Sequence, residues 1–358
     1  MPGSVGSGFV LERLNLATPS RRSMLAAGLL LAACGGAASS GAVRRERYVD
    51  VGDARLYALV RGDDPKAPLL IWLHGGPGGA ERPLFQLYNS DLERRFVVVY
   101  LDQRGTARSY DPDADPRRLT VARHVADLDV VVEGLRREFA GRPVVLLGHS
   151  WGSALGLFYA QAHPQKVAAV VGVGQVSNEL ARQRSQYAFV EAEARRRGDT
   201  QGLDRLSAVG APPFSASREI AMQRLVERYG GYFRKEPNLI GLLLRAIAHG
   251  YVPPGEMTRM FRGNAVSLEA MNDELLKLDL PQDVPEVKVP VVFMLGRYDR
   301  QVDSRLAAAY FEQLRAPAKR LMWFEDSAHN APFEEAARFN EAVPRLLAEV
   351  GVITPGSP

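Results

Sequence analysis

Val144-Val145-Leu146-Leu147-Gly148-His149-Ser150-Trp151-Gly152-Ser153 runs from four apolar residues into Gly-x-Ser-x-Gly, and a further apolar run follows over 154–162. The first part reads as a buried strand and the last as a helix, with a sharp turn at Ser150 between them. A turn that tight leaves no room for flanking side chains, which explains Gly148 and Gly152. It would lift the Ser150 hydroxyl above the strand ends, next to the unpaired N–H groups at the start of the following helix. Ser150 is therefore the candidate nucleophile, and the sheet is expected to be built around its strand.

The chain of 358 residues is long enough for a large core, and 46% apolar with 24% charged residues is the composition of a globular protein. The net charge is +4; without residues 1–34 it leaves 42 basic and 40 acidic residues, a net +2. Near-neutrality gives no electrostatic case for nucleic acid. A lone cysteine, Cys34, allows no internal disulfide.

Residues 1–34 read as an export signal. Arg21-Arg22 precedes a short apolar run over 24–33, too short to span a membrane as a mature helix. The paired arginines resemble a twin-arginine signal. Leu31-Ala32-Ala33-Cys34-Gly35 resembles a bacterial lipobox, which makes Cys34 a candidate lipidation site and 35–45 a tether. The expected location is the periplasm or cell envelope of a bacterium, with membrane contact only through that anchor.

The body alternates strand and helix. Alternating residues around Gly52-Asp53 predict a hairpin, and apolar runs at 68–73, 96–101, 144–149, 167–173, 289–295 and 320–324 predict further strands. Helical spacing covers 120–139, 154–162, 304–314 and 332–350. Between 177 and 287 strand-like runs vanish, and helices are expected at 179–197, 218–229, 238–249 and 267–278, separated by Pro- and Gly-containing breaks. The reading is an α/β fold, a mostly parallel doubly wound sheet over 46–176 and 288–350, with a helical cap at 177–287 and a tail at 351–358. Leu242, Leu243, Leu244, Met257, Met260 and Phe261 are expected in the cap core or lining a pocket, with the core favoured.

Ligands of such sheets bind at the carboxyl ends of strands. One of those ends carries His74-Gly75-Gly76-Pro77-Gly78-Gly79, whose glycines let backbone N–H groups approach a ligand; without Lys-Ser/Thr after them it is no phosphate loop. A serine needs an adjacent base. Of six histidines, only His329 follows the last strand. Asp299, past the preceding strand, is the candidate acid that orients it, with Asp303 and Asp326 as alternatives that could instead cap a helix or turn. The N–H groups of Trp151 and Gly76 are the candidate oxyanion donors. No metal-ligand spacing is present.

This ordered set resembles the α/β-hydrolase superfamily and, within it, the proline iminopeptidase family. The likeness rests on His74-Gly75-Gly76-Pro77-Gly78, Asp102-Gln103-Arg104-Gly105, Gly148-His149-Ser150-Trp151-Gly152-Ser153, Gly296-Arg297-Tyr298-Asp299 and Ser327-Ala328-His329. It implies a cofactor-free serine peptidase releasing N-terminal proline, with Ser150 as nucleophile, Asp299 as acid, His329 as base, and Gly76 and Trp151 at the oxyanion. His74, Gly75, Pro77, Gly78, Asp102, Arg104 and His149 would support these loops. The chain departs from the family in two places: Ala107 stands where glycine is usual, and the cap lacks tryptophan beside its acids. The residue that would bind a substrate amine is unassigned among Glu179, Glu191, Glu193, Glu219 and Glu227. The expected activity is hydrolysis of a small amide or short peptide through an acyl-enzyme. An esterase, lactonase or thioesterase using the same residues is the alternative, and a non-catalytic binding protein is the third reading.

Overall fold

The computed structural model describes residues 41–234 and 238–354. The export signal, Cys34 and most of the tether lie outside the described residues. Eight strands, β1 (Val43–Asp50), β2 (Arg55–Gly62), β3 (Leu69–Leu73), β4 (Val97–Leu101), β5 (Val144–His149), β6 (Ala169–Val173), β7 (Val291–Gly296) and β8 (Lys319–Phe324), form one sheet in the order 1-2-4-3-5-6-7-8. β1 and β2 pair antiparallel, as do β2 and β4; every other pair is parallel. β1 begins inside the expected tether, because residues 43–45 already pair with β2, Val43 facing Gly62.

Buried strands alternate their side chains between two cores. Leu69, Ile71 and Leu73 face one side, with helices α2 (Val121–Glu138), α3 (Trp151–Ala162) and α10 (Ser304–Gln313). Leu70 and Trp72 face the other, with α1 (Arg82–Asn89) and α12 (Ala336–Glu349). The chain moves from β3 to β4 on one side and to β5 on the other, so the order switches beside β3 and leaves a crevice at its carboxyl end.

Between β6 and β7 the described chain is helical: α4 (Glu179–Arg197), α5 (Thr200–Val209), α6 (Ala216–Arg228), α7 (Leu239–Ala248), α8 (Glu256–Leu275) and α9 (Leu280–Asp283). α4, α5 and α6 share a core of their own around Val190, Leu206, Phe214 and Met222. α8 starts eleven residues before the expected helix. Gly263 and Asn264 interrupt its apolar pattern, but a Cβ on Gly263 would stand 2.3 Å from the Gly105 carbonyl, so packing selects glycine there. The expected core positions divide: Leu242 and Met260 are buried, whereas Leu244 and Phe261 are exposed. The expected closing helix breaks at Glu335 into α11 (Ala331–Glu334) and α12. No helix among the described residues is long and apolar enough to cross a membrane.

Candidate active site

The Ser150 turn is forced by its neighbours. A Cβ on Gly148 would lie 2.2 Å from the Gly152 carbonyl oxygen, and one on Gly152 would lie 2.0 Å from that of Leu73. Ser150 itself takes φ 52°, ψ −123°, a conformation that costs a non-glycine residue on the order of 1–3 kcal/mol. Its N–H donates to Val173 O at 2.9 Å, which pins the turn to the end of β6.

Asp299 and His329 meet beside it. Asp299 is fully buried. Its Oδ1 accepts from the N–H groups of Gln301 (2.8 Å) and Val302 (3.0 Å), and its Oδ2 lies 2.9 Å from His329 Nδ1. The alternatives sit elsewhere: Asp303 caps α10, accepting from Arg305 N–H, and the Asp326 N–H donates to Glu335. The His329 N–H donates to Tyr232 O at 3.1 Å. Ser150, Trp151, Gly76 and His329 line one cavity of about 230 Å³. Among the described residues, neither the Gly76 nor the Trp151 N–H donates to another backbone carbonyl outside regular helices and strands.

The support residues brace the two loops beside β3 and β4. Gln103, unassigned from the sequence, donates to His74 O at 2.9 Å, and its Oε1 accepts from the Trp151 indole at 3.1 Å. Asp102 accepts from Arg82 (3.0 Å) and from the Arg108 N–H (3.2 Å). Arg82 also pairs with Glu256 of α8. Arg104 makes two bonds to Asp127, at 2.7 and 2.8 Å. Asn264 donates to Pro77 O at 3.0 Å, so α8 holds the glycine loop as well. Glu81 was also missed. It accepts from Gly75 N–H at 3.0 Å and lies 2.8 Å from His149 Nδ1. The signal was an acid directly before Arg82-Pro83, where a helix starts.

The helical segment brings Glu179, Glu219 and Arg182 to the cavity wall. Arg182 pairs with both glutamates, at 2.8 Å to Glu219 Oε1 and 2.8 Å to Glu179 Oε2. Burial opposes its charge, and the two carboxylates more than offset that, so its pKa is raised. The set carries a net charge of −1. Glu219 Oε2 and Gln301 Oε1 are buried acceptors with no donor among the described residues, and both residues line the cavity. Glu191 and Glu193 instead pair with Arg195, Arg196 and Arg197 on the surface of α4.

Comparison with known proteins agrees with this architecture. The alpha/beta hydrolase fold family matches residues 68–336. A probable aminopeptidase of Bacillus subtilis is 30% identical over 307 residues, covering 84% of this chain and 95% of that protein. A proline iminopeptidase of Saccharolobus solfataricus is 25% identical over 301 residues, covering 78% and 85%. Among solved structures, a proline iminopeptidase of Mycobacterium smegmatis superposes with a TM-score of 0.64 at 20% identity, over 85% of this chain and 98% of that one.

Proposed function

The chain belongs to the alpha/beta hydrolase family, and from that premise we propose that it is a serine aminopeptidase of the proline iminopeptidase type. The observation that carries this reading is the Asp299–His329 hydrogen bond of 2.9 Å, set at one cavity with the strained Ser150 turn. His329 Nε2 takes the Ser150 proton as the oxygen attacks the carbonyl carbon. Asp299 holds the Nδ1–H tautomer and stabilises the imidazolium that forms. The N–H groups of Gly76 and Trp151 receive the oxyanion. His329 then gives its proton to the departing amine, and water, deprotonated by the same base, releases the acyl group from Ser150.

The free ammonium of the substrate has its counterpart in the net charge of Glu179, Arg182 and Glu219 and in the open acceptors Glu219 Oε2 and Gln301 Oε1. A buried ammonium requires such partners. The names of the B. subtilis and S. solfataricus relatives support the same substrate class. The second reading, an esterase for small acyl groups, is favoured by the apolar part of the wall, Leu239, Leu243, Met260 and Leu268.

The test compares a proline arylamide with a short-chain nitrophenyl ester, using wild type and Ser150→Ala. Ser150-dependent turnover of the amide supports the aminopeptidase. Turnover of the ester alone moves the assignment to esters and lactones. The export reading is proposed on the Arg21-Arg22 and Cys34 motifs alone. Cell fractionation with an intact mass decides it, and a soluble mature chain starting after Cys34 would rule out the anchor.

A further inference from the structure

Two buried histidines flank the site, and their partners differ. His74 Nδ1 faces Gly75 O at 2.8 Å, while its Nε2 accepts from Gln103 N–H at 3.0 Å. One donor and one acceptor suit a neutral ring, and burial pushes the His74 pKa down. His149 has no such division. Its Nδ1 faces Glu81 Oε1 at 2.8 Å and its Nε2 faces the His329 carbonyl at 3.0 Å. An ionised carboxylate and a carbonyl both accept only. A neutral imidazole would turn a lone pair toward one of them, whereas an imidazolium donates to both.

We infer that Glu81, which lines the cavity, and the buried His149 form a carboxylate–imidazolium strut that holds the oxyanion loop in register with the base. The inference rests on the serine-hydrolase reading above, and it makes both groups positioning residues. At one end Glu81 Oε2 accepts from Gly75 N–H at 3.0 Å. A Cβ on Gly75 would lie 2.9 Å from Glu81 Oε1 and 3.1 Å from Ser150 Cβ, so carboxylate, loop and nucleophile turn close around one point. At the other end the His149 ring stands 4.7 Å from that of His329 and binds its carbonyl. Three hydrogen bonds thus run from the residue before Gly76 to the backbone of the base. A shift of about 1 Å in such a group can cost on the order of 10²-fold in rate.

The charge is sustained locally. Burial works against the His149 cation, but Glu81 beside it raises the pKa above the ordinary value. Burial likewise opposes the Glu81 anion, and His149 lowers its pKa. The other titratable groups facing the pair are Asp299 and His329 from the loops after β7 and β8, His74 from the glycine loop, and Tyr232 from the segment after α6. Trp72 and Phe333 supply aromatic walls. As pH rises through the raised value, His149 loses its proton, one hydrogen bond of the strut is lost, and kcat falls.

The test uses the full chain. Nitrogen NMR of histidine-labelled protein, with His149 assigned through His149→Gln, is expected to find both ring nitrogens protonated at neutral pH. Glu81→Ala is expected to lower kcat by on the order of 10²-fold, with a much smaller change in KM. Glu81→Gln should recover most of that loss. Its amide can accept from Gly75 N–H and donate to a neutral His149, so the part of the alkaline limb that belongs to His149 should vanish, leaving only the limb set by the substrate ammonium. A singly protonated His149 in the wild type, or an unchanged alkaline limb in Glu81→Gln, overturns the proposal. If neither amide nor ester is turned over, the function reading fails while NMR still decides the state of His149.

Discussion

Gly174 lies against His329, the proposed base. A Cβ there would stand 2.9 Å from both Cε1 and Nδ1 of His329, and the backbone takes φ +50°. Gly174→Ala should therefore displace the ring from Asp299 and lower kcat by about 10²-fold, measured by steady-state kinetics, while urea unfolding reports a loss of only about 1–3 kcal/mol from the positive φ. An unchanged kcat would mean that the ring has room to yield. Ser150 also has positive φ, and Ser150→Gly should abolish turnover while raising stability by about 1 kcal/mol. A lower unfolding midpoint would contradict the strain. Ser150, Asp299 and His329 could be singled out in sequence because each follows an apolar strand in a repeating order. Gly174 could not, because its constraint is a ring 155 positions away in the chain.

Whole strands were legible where burial is two-sided, as in β3 and β5, since continuous apolar runs leave little choice. Helix ends were less so. The break at Glu335 arises because its carboxylate accepts from Ser327 Oγ at 2.7 Å, while Glu334 accepts from Ala328 N–H at 3.0 Å. Those acids hold the loop that carries His329, a tertiary demand that helical periodicity does not encode. α8 is tied down in a similar way, through Glu256 to Arg82 and Arg108. Glu256→Ala leaves buried Arg82 with only part of its compensation and should cost about 3–5 kcal/mol in urea unfolding; a loss below about 1 kcal/mol would show that Asp102 alone suffices.

The strut between the start of α1 and the end of β5 gives stability a pH window. The His149 pKa is raised on folding, so its contribution is complete below the ordinary value near 6.5 and is lost as pH rises through the raised one. The Glu81 pKa is lowered, so its contribution is complete above the ordinary value near 4.5 and is lost as pH falls through the lowered one. The stability difference between wild type and Glu81→Gln should be greatest between these two ordinary values and shrink on both sides. A difference independent of pH would remove the ion pair from the account.

At the scale of the whole molecule, the cavity joins parts that the sequence keeps far apart. Arg182 is on α4, Glu219 is on α6, and Gln301 follows β7. Composition showed many acids in the helical segment without separating surface pairs such as Glu193–Arg196 from the wall pair Glu219–Arg182. The distinction lies in where α4 and α6 face, and that depends on a core formed between them by Val190 and Met222. Once folded, Glu219 divides its oxygens: Oε1 holds Arg182 and Oε2 has no donor among the described residues. A substrate ammonium placed there gains a charge-assisted hydrogen bond, worth about 1.5–3 kcal/mol. Glu219→Gln weakens that bond and removes the net negative charge of the set. The ratio of kcat/KM for a proline arylamide over a nitrophenyl ester should then fall by about 10–100-fold. The ratio matters more than either rate, because loosening of α6 against α4 would slow both substrates together, whereas loss of an ammonium partner penalises only the one with a free amine. An unchanged ratio would place amine recognition on another wall of the cavity.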